Sequence, residues 1–315
     1  MRDLIVEAVA PATSANLGAG FDVFGVALDG PHDSVRVEKL ETEQIEISIE
    51  GIGADFIPRE PQRNTAGIVA SALLSQSKEK GGLKIRITKG IKPGSGLGSS
   101  AASAAAAALA VSELLELRFT KTQLIEIAAQ GETASAGVAH ADNVAPAILG
   151  FFTIIQSYNP LEATSLPSPR NVVFVLAIPE YSKSTATMRA VLPKQVSLSD
   201  LVHNVGHAAS FIAGIALGDV ALMGRGMADS IVEPVRAGLL PGVKEVKKEA
   251  IEAGAAGVAL SGAGPSVLAL VDSEKGNAES IAKAMRNGFA SLDIGSQAII
   301  VRPGPGAKIV RRRAE

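Results

Sequence analysis

The sequence predicts an α+β protein with two domains. Strand-like and helix-like segments mix in both halves of the 315-residue chain, without the regular alternation that is typical of a doubly wound parallel sheet. A chain of this length suits one large domain or two medium ones. Pro167, Ser168 and Pro169 mark a seam between two strand-like segments. We therefore expect an N-terminal domain over residues 1–165 and a C-terminal domain over residues 166–315.

The first half of the chain predicts five strands and three helices. Alternating or continuous apolar residues indicate the strands, and apolar residues three to four positions apart indicate the helices. Thr120 and Gln123 have the form of a capping box, which begins the third helix. The segment PATSANLGAGFD, residues 11–22, is rich in turn formers and predicts a loop. The predicted strands cover residues 4–10, 34–39, 44–50, 83–88 and 150–156, and the predicted helices cover residues 64–78, a segment ending at 117, and 121–135.

The second half combines strands and helices in the same mixed way. A strand, a turn and a strand are predicted in GVALSGAGPSVLALV, residues 257–271, where glycines and a proline separate two apolar runs. The basic cluster at residues 311–313 is interpreted as a solvated chain end. Further strands are predicted at residues 171–178 and 298–301, and helices at residues 199–217, 243–253 and 278–290.

The composition excludes several classes of protein. Hydrophobic residues make up 47% of the chain and charged residues 20%, which is typical of a folded protein with a core. The net charge of −2 gives no general attraction to nucleic acid or to anionic membranes. The absence of cysteine excludes disulfides, thiolate metal sites and a cysteine nucleophile. The N-terminal segment is too short and too charged for a signal peptide, and no apolar run approaches the roughly 20 residues that span a bilayer, so we expect a cytoplasmic protein.

A glycine-rich segment in front of an alanine-rich helix predicts a phosphate site. In GIKPGSGLGSSAASAAAAALAVSELLEL, residues 90–117, glycines and serines precede a run of alanines. Glycines let a backbone approach a ligand closely, and the first N–H groups of a helix attract anions. The alternative is an ordinary glycine turn capped by serine. Two common nucleotide motifs do not match, because no lysine follows the glycines as in a P-loop and Ser99 stands where the dinucleotide fingerprint needs glycine.

A glutamate on an apolar helical stripe predicts a buried carboxylate. Leu124, Ala128 and Glu132 are spaced four residues apart, so Glu132 continues an otherwise apolar face. A buried carboxylate needs a partner, which can be a divalent cation or an arginine. A glutamate at the surface near the helix end explains the stripe equally well. If the cation is Mg²⁺ on a nucleotide, its usual ligands predict that Ser100 and Glu132 lie close together in space.

Three segments together resemble the motifs of the GHMP kinases, the superfamily of galactokinase, homoserine kinase, mevalonate kinase and phosphomevalonate kinase. They are APATSANLGAGFDVFGVAL, PGSGLGSSAASA and GVALSGAGPSVLAL, in the family's order over nearly the whole chain. The resemblance implies a two-domain GHMP kinase fold, with a left-handed β-α-β unit in the N-terminal α+β domain and a ferredoxin-like C-terminal domain. It also implies ATP at the glycine loop, a second substrate between the domains, and a homodimer.

Further segments are similar to those of one branch of this superfamily, the homoserine kinases. They are HADNVAPA, STATMRAVLP and EPVRAGLLPG. This similarity implies a reaction with ATP and Mg²⁺ that phosphorylates the side-chain hydroxyl of L-homoserine to O-phospho-L-homoserine, in threonine biosynthesis. Two alternatives stay open: another GHMP small-molecule kinase of the shikimate or mevalonate type, and a non-catalytic sensor of a nucleotide and an amino acid.

The resemblance also implies roles for individual residues. Ser100 and Glu132 would hold Mg²⁺, and Asn143 would lie near the reacting hydroxyl, so these three form the expected catalytic set. Asn64 would contact the adenine, and no residue is assigned as a base. The residues expected to cradle the triphosphate are Pro93, Gly94, Ser95, Gly96, Leu97, Gly98, Ser99, Ser100, Ala101 and Ser103. The residues expected to line the homoserine pocket are Asn16, Asp22, His140, Asn143, Thr185, Arg189 and Arg236.

Opposite charges among these pocket residues suit a zwitterion such as homoserine. Asp22 can bind an ammonium group, and Arg189 and Arg236 can bind a carboxylate through two parallel hydrogen bonds each. The alternatives are an aspartate that caps a turn and arginines that are ordinary surface charges.

A pair of histidines has the spacing of the zinc-binding helix of metalloproteases. That motif needs a glutamate directly after the first histidine, but Asn204 follows His203 in this chain. We therefore interpret His203 and His207 as ordinary helix residues and expect no zinc site.

Overall fold

The computed structural model describes residues 4–77, 81–137 and 139–314. Its strands are β1 (Leu4–Ala15), β2 (Phe24–Leu40), β3 (Ile45–Gly51), β4 (Gly82–Lys89), β5 (Phe152–Tyr158), β6 (Leu161–Leu166), β7 (Val172–Pro179), β8 (Gly257–Leu260), β9 (Val267–Asp272), β10 (Ser296–Val301) and β11 (Lys308–Ala314). Its helices are α1 (Thr65–Gln76), α2 (Ser99–Leu114), α3 (Lys121–Gly131), α4 (Thr133–Ala136), α5 (Val144–Leu149), α6 (Thr185–Ala190), α7 (Leu198–Leu217), α8 (Val220–Arg225), α9 (Glu233–Ala237), α10 (Val243–Glu252) and α11 (Ala278–Ala290). The predicted end of the first helix, residue 78, lies outside the described residues.

The first strand continues further than its sequence predicts. Residues 11–15 were expected in a loop, but they extend β1 to Ala15. The pairing of β1 with β2 shifts register between Pro11 and Thr13. Because proline cannot donate to a strand ladder, an irregularity at this point lets the pairing resume beyond it.

The larger sheet contains the first six strands and the C-terminal strand. Its main order is β11-β1-β2-β4-β3, and β5 pairs with β2 at one end and with β6 on its other side. The pairs are antiparallel except for β3 and β4, which are parallel. A parallel pair needs a crossover, and α1 supplies it between β3 and β4. This is a β-α-β unit of the kind expected, and its left-handed crossover stays a prediction.

The smaller sheet has the ferredoxin-like arrangement that the resemblance implies. Its order is β10-β7-β9-β8, with every neighbouring pair antiparallel. Along the chain, helices separate β7 from β8 and β9 from β10, while β8 and β9 are joined by a short loop. The sequence of elements is therefore β-α-β-β-α-β, which is the ferredoxin-like pattern. The predicted two-domain α+β fold is confirmed.

One alanine-rich helix lies at the centre of the larger core. Almost every residue of α2 is buried, and α2 contacts β1, β2, α1 and α3. Alanine side chains are short, so neighbouring elements can approach this helix closely from several directions. The same hydrophobic cluster continues into the second half, where the rings of Phe152 and Phe174 meet at 6.1 Å between centroids. The helix is thus enclosed by β1, β2, α1 and α3 within this core.

The C-terminal segment corrects the expectation of a solvated tail. Residues of β11 pair with β1 in an antiparallel ladder. Arg312 lies 2.9 Å from a carboxylate oxygen of Glu113 and 3.7 Å from one of Glu116. The basic residues misled the sequence analysis because alternate positions face solvent, while Ile309 packs against the main core.

The position of the domain boundary stays a prediction. The predicted second domain, residues 166–315, includes β11, which lies in the sheet built mainly by the first half. Within the described part of the chain, none of the helices combines the length and the apolar composition required to cross a bilayer.

Substitutions in β11 distinguish a packed strand from a solvated tail. Ile309→Ala should lower the free energy of unfolding by about 1–2 kcal/mol, because it removes part of a half-buried side chain. Val310→Ala, the matched control with a side chain that is 48% exposed, should change it by about 0.5 kcal/mol or less. Urea unfolding followed by circular dichroism measures both, and equal small effects would mean that the strand contributes nothing to the core.

Candidate active site

A cleft of about 420 Å³ lies where loops from both halves meet. The first half contributes the glycine loop and the segments around Asp22 and Glu132, and the second half contributes α6 and the loop after β8. The structure therefore brings together most of the residues singled out from the sequence. Those that border the cleft are Asn16, Asp22, Asn64, Pro93, Gly94, Gly96, Gly98, Ser99, Ser100, Ser103, Glu132, His140, Asn143, Thr185, Arg189 and Arg236.

Three residues expected to cradle the triphosphate do not border the cleft. Ser95 is buried, and its hydroxyl donates to the carbonyl oxygen of Lys92 at 2.7 Å. Leu97 and Ala101 are part of the hydrophobic core. These side chains support the loop from inside the protein, because the loop must pack on the core beneath it, and any contact of these three residues with the triphosphate stays a prediction.

The glycine loop has a backbone conformation that favours glycine. Gly94, Gly96 and Gly98 have φ angles of 66°, 88° and 62°, in the left-handed region. A Cβ atom on Gly96 would collide with the carbonyl oxygen of Ser261, and one on Gly98 would collide with the Thr13 hydroxyl. Gly98 is the N-cap of α2 and has no side chain with which to cap it. The first turn of α2 thus borders the cleft without a side-chain cap, which is an arrangement that attracts anions.

Ser100 and Glu132 lie close together, as the sequence predicts. The Ser100 hydroxyl donates to Glu132 Oε2 at 3.1 Å. Glu132 is only 3% exposed, so the alternative of a surface glutamate is wrong. It stands between α3 and α4, at a break in the helix predicted for residues 121–135. Burial raises the pKa of Glu132, while the charge of His140 and the Ser100 hydrogen bond oppose the rise.

This pair fits Mg²⁺ when phosphate oxygens complete the coordination. Mg²⁺ is usually held by one or two carboxylates together with substrate phosphates and water. In residues 4–77, 81–137 and 139–314, no cluster of three or more His, Cys, Asp or Glu side chains is arranged to hold a metal alone. A metal that arrives with a nucleotide needs no such cluster. The role of Ser100 and Glu132 as metal ligands stays a prediction.

His140 is held next to Glu132 by a neighbouring carboxylate. Its Nδ1 lies 2.8 Å from Asp142 Oδ1, and its Nε2 lies 3.7 Å from Glu132 Oε2. Among the described residues, Nε2 has no hydrogen-bond partner, although it is buried. Burial favours the neutral ring, but the hydrogen bond and charge of Asp142 outweigh it and, with Glu132, raise the pKa of His140 to about 9. The imidazole is therefore a cation at neutral pH.

Two asparagines of the predicted pocket are oriented by protein groups. Thr13 Oγ1 donates to Asn143 Oδ1 at 2.8 Å, which fixes the orientation of that amide. Asn16 Nδ2 donates to the carbonyl oxygen of Gly262 at 2.8 Å, and its Oδ1 accepts the N–H of Asp22 at 3.1 Å. Asn16 thereby joins the loop after β1 to the loop after β8.

The charged residues expected to bind a zwitterion bind one another. Arg189 donates to both carboxylate oxygens of Asp22, at 2.8 and 2.7 Å. Arg236 is 2% exposed, and the guanidinium carbons of Arg189 and Arg236 each lie 5.3 Å from the centroid of the Phe21 ring. Thr185 begins the helix that carries Arg189. The sequence analysis missed Phe21, whose ring makes a cation–π contact with each of the two arginines.

Asn64 borders the cleft, but its side chain is largely used in capping α1. Its Oδ1 accepts the N–H groups of Ala66 and Gly67, at 3.0 and 3.2 Å, and its amide donates to the carbonyl oxygen of Pro58 at 2.7 Å. A contact with adenine would have to use the second amide hydrogen. Phe56, which the sequence analysis missed, also borders the cleft and is 89% exposed. Its ring is a suitable surface for a flat base.

Lys89 and Asp33 are two buried charged residues near the glycine loop that the sequence analysis also missed. Lys89 borders the cleft, and its ammonium donates to the Asp33 carboxylate. Burial lowers the pKa of Lys89, and the charge of Asp33 opposes this change. No periodicity identifies such a pair, because the two residues lie on different strands and meet only in the fold.

Comparison with known proteins gives independent evidence about this chain. Residues 64–151 match the GHMP kinases N terminal domain, and residues 211–291 match the GHMP kinases C terminal domain. A relative from Methanocella arvoryzae named homoserine kinase is 45% identical over 306 residues, which are 97% of this chain and 97% of that protein. The crystal structure of homoserine kinase from Cytophaga hutchinsonii has a TM-score of 0.91 at 38% identity, and covers 97% of both chains.

A more distant solved structure shares the fold alone. It is the structure of MDDEF in complex with MVAPP, AMPPCP and magnesium, with a TM-score of 0.71 at 16% identity. The likeness covers 98% of this chain and 99% of that one.

The charge on His140 should depend on Asp142. Since its pKa in the folded protein is about 9, above the ordinary 6.5, protonation stabilises the fold fully below about pH 6.5. That contribution should disappear as pH rises through about 9. NMR titration of the four histidines in magnesium-free buffer should show one midpoint near 9, which Asp142→Asn moves towards lower pH. A His140 midpoint near 6.5 in the unsubstituted protein would contradict this.

Proposed function

The chain belongs to the GHMP kinase family, and we propose that it transfers the γ-phosphate of ATP to the side-chain hydroxyl of L-homoserine. The product is O-phospho-L-homoserine, an intermediate of threonine biosynthesis. One observation carries the proposal: a single cleft combines an uncapped helix start on a glycine loop with Asp22 beside two arginines. The 45% identity to a relative named homoserine kinase, over 97% of the chain, supports this substrate.

The glycine loop and the start of α2 are proposed to bind the triphosphate of ATP. The loop leaves the first turn of α2 without a side-chain cap, so its amide groups can donate to phosphate oxygens. Ser100 and Glu132 would hold Mg²⁺ on these phosphates, where the metal neutralises charge and orients the γ-phosphate. Ser100 and Glu132 are already in contact, which favours a shared ligand.

The charges at the other part of the cleft are proposed to bind the amino-acid portion of homoserine. The substrate ammonium can replace the Arg189 guanidinium at Asp22, and the substrate carboxylate can replace the Asp22 carboxylate at Arg189. Each charged group then exchanges one opposite charge for another, so the exchange leaves no buried charge unpaired. Arg236, held by the carbonyl oxygens of Met188 and Gly262, is fixed close to the same carboxylate position.

The remaining residues position the reacting groups. Phosphoryl transfer depends mostly on alignment and on neutralising charge, with little covalent help from the protein. Asn143, whose amide is fixed by Thr13, would orient the attacking hydroxyl. The protonated His140, kept in place by Asp142, would stabilise negative charge on the group in transfer through its unpartnered Nε2. No dedicated base is assigned, because Asp142 already accepts from His140.

The two alternatives differ from this proposal in what they ask of the cleft. Shikimate has no ammonium group, and neither does mevalonate, so Asp22 would have no role with a kinase of those types. A non-catalytic sensor would not need a hydroxyl and a buried carboxylate in contact at the phosphate site. The contact between Ser100 and Glu132 therefore favours an enzyme.

The oligomeric state and the cellular location are finer points that stay predictions. A homodimer is supported by one exposed face of α7, where Leu198, Val202 and Val205 are 80%, 71% and 60% exposed. These positions lie on one stripe of the helix, and a second copy could cover them. A cytoplasmic location is expected from the sequence alone.

Turnover of different alcohols by the purified protein tests the substrate. With Mg-ATP, kcat/KM for L-homoserine should exceed that for shikimate or mevalonate by about 100-fold or more, because only homoserine satisfies Asp22 and the arginines together. Threonine serves as an amino acid with a hindered hydroxyl. A coupled ADP assay measures all four rates, and faster turnover of shikimate than of homoserine would refute the substrate.

Replacement of the buried carboxylate tests the metal clamp and the enzyme hypothesis together. Glu132→Gln should lower kcat by about 100-fold, since an amide cannot replace a carboxylate on Mg²⁺. Glu126→Gln, an exposed glutamate on α3, is the matched control and should behave like the unsubstituted protein. Unchanged turnover in Glu132→Gln, with the same melting temperature, would remove Glu132 from the metal site.

A further inference from the structure

We propose that Asp33 and Lys89 are positioning residues, which hold the glycine loop and the start of α2 in the shape that receives a triphosphate without binding phosphate themselves. This inference rests on the proposed function of the same cleft. It concerns how the affinity for the nucleotide arises, and it assigns a role to two buried charged residues.

Asp33 is a fully buried carboxylate that accepts hydrogen bonds from four groups. It lies in β2 and has no exposed surface. Its Oδ1 accepts the N–H groups of Gly90 and Ile91, at 3.0 and 3.1 Å. Its Oδ2 accepts from the Lys89 ammonium and from the Ser103 hydroxyl, the latter at 2.8 Å. Asp33 thereby fixes the beginning of the loop and the second turn of α2 to one carboxylate.

Lys89 borders the cleft, yet its donors are all used within the protein. Its ammonium donates to Asp33, to the carbonyl oxygen of Ser99 at 2.8 Å and to Ser103 Oγ at 2.8 Å. An ammonium group has three N–H donors, so none remains for a phosphate oxygen. Lys89 therefore differs from the lysine of a P-loop, which reaches the phosphates directly.

The polar cluster of Asp33, Lys89, Ser99 and Ser103 closes the base of the glycine loop. Its members lie on β2, at the end of β4 and at the start of α2, on both sides of the loop. Ser99 Oγ also donates to the carbonyl oxygen of Ile91 at 2.9 Å, directly across the base. The segment 92–98 must therefore close between two fixed ends. Donors that are fixed before the anion arrives bind it without a further ordering cost.

The opposite charges make the two residues depend on each other. A buried ion pair is tolerated while both partners are present, and removal of one leaves an unpaired buried charge. Removal of either partner should distort the loop and weaken binding of the triphosphate. Removal of both should weaken binding by less than the two single effects combined. A direct phosphate ligand would behave differently, because its loss could not be compensated at Asp33.

A double-mutant cycle on this pair tests the proposal. The variants are Asp33→Asn, Lys89→Met and their combination, with Lys84→Met as the matched control because Lys84 is exposed on the same strand. Calorimetry measures the affinity for inorganic tripolyphosphate and for a non-hydrolysable ATP analogue. Each single substitution should lower both affinities by about tenfold. The double substitution should lower them by clearly less than the product of the two single effects. Lys84→Met should leave both affinities unchanged.

Steady-state kinetics separates positioning from a general loss of structure. Ser103→Ala removes one hydroxyl without leaving a charge unpaired, so it should fold normally. It should raise the KM for ATP several-fold, and its effect on KM should be larger than its effect on kcat, because the loop can still be closed by bound nucleotide. Melting temperatures of all variants identify any that fail to fold.

Two outcomes overturn the inference. One is that Lys89→Met lowers the affinity far more than Asp33→Asn does, and that the double variant binds no more tightly than Lys89→Met. This result would make Lys89 a phosphate ligand. The other is that Ser103→Ala and both single variants, all folded, bind tripolyphosphate normally. If the unsubstituted protein itself binds neither tripolyphosphate nor the ATP analogue, the proposed function fails instead.

Discussion

Three segments of this chain meet at glycines whose surroundings leave no room for a side chain. Gly96 lies against the carbonyl oxygen of Ser261, and Gly98 lies against Thr13. Ser261 Oγ donates to the carbonyl oxygen of Gly96 at 2.8 Å and lies 2.9 Å from the hydroxyl of Ser14. These contacts fix the start of α2 relative to β1 and to the loop of the smaller sheet. The cleft depends on them, because Gly96, Gly98 and Gly262 all border it.

Most of the charged groups in the cleft are satisfied by one another. Asp22 is paired with Arg189, and His140 is held between Asp142 and Glu132. Isolated buried charges are costly, so this pairing makes the charged side chains of the cleft compatible with a stable fold. In the proposed function, a zwitterionic ligand would therefore bind by exchanging places with these protein partners. Specificity then follows from chemistry: a molecule with only one of the two required charges would leave its counterpart unpaired.

The sequence predicted those parts of the site that have a recognisable pattern among neighbouring residues. The left-handed φ angles of Gly94, Gly96 and Gly98 favour glycine, so the glycines in the sequence were enough to predict the loop. The stripe that ends at Glu132 indicated a buried carboxylate, and its contact with Ser100 followed from the ligands that Mg²⁺ accepts. By contrast, no sequence pattern indicated Phe21 or Phe56, because a single aromatic residue is found as often in a core as in a binding site.

The sequence by itself determined the longer helices, most of the strands, the glycine loop and, through three ordered motifs, the family. Only the tertiary structure decided which distant residues meet. Asp33 and Lys89 are 56 positions apart and Asp22 and Arg189 are 167 apart, so no local periodicity links either pair. The position of β11 was also decided by the tertiary structure. Its basic residues predicted a solvated tail, but it pairs with β1 and Ile309 packs against the core. Local backbone preferences are encoded in neighbouring residues, whereas charge pairing and sheet edges depend on how the whole chain closes.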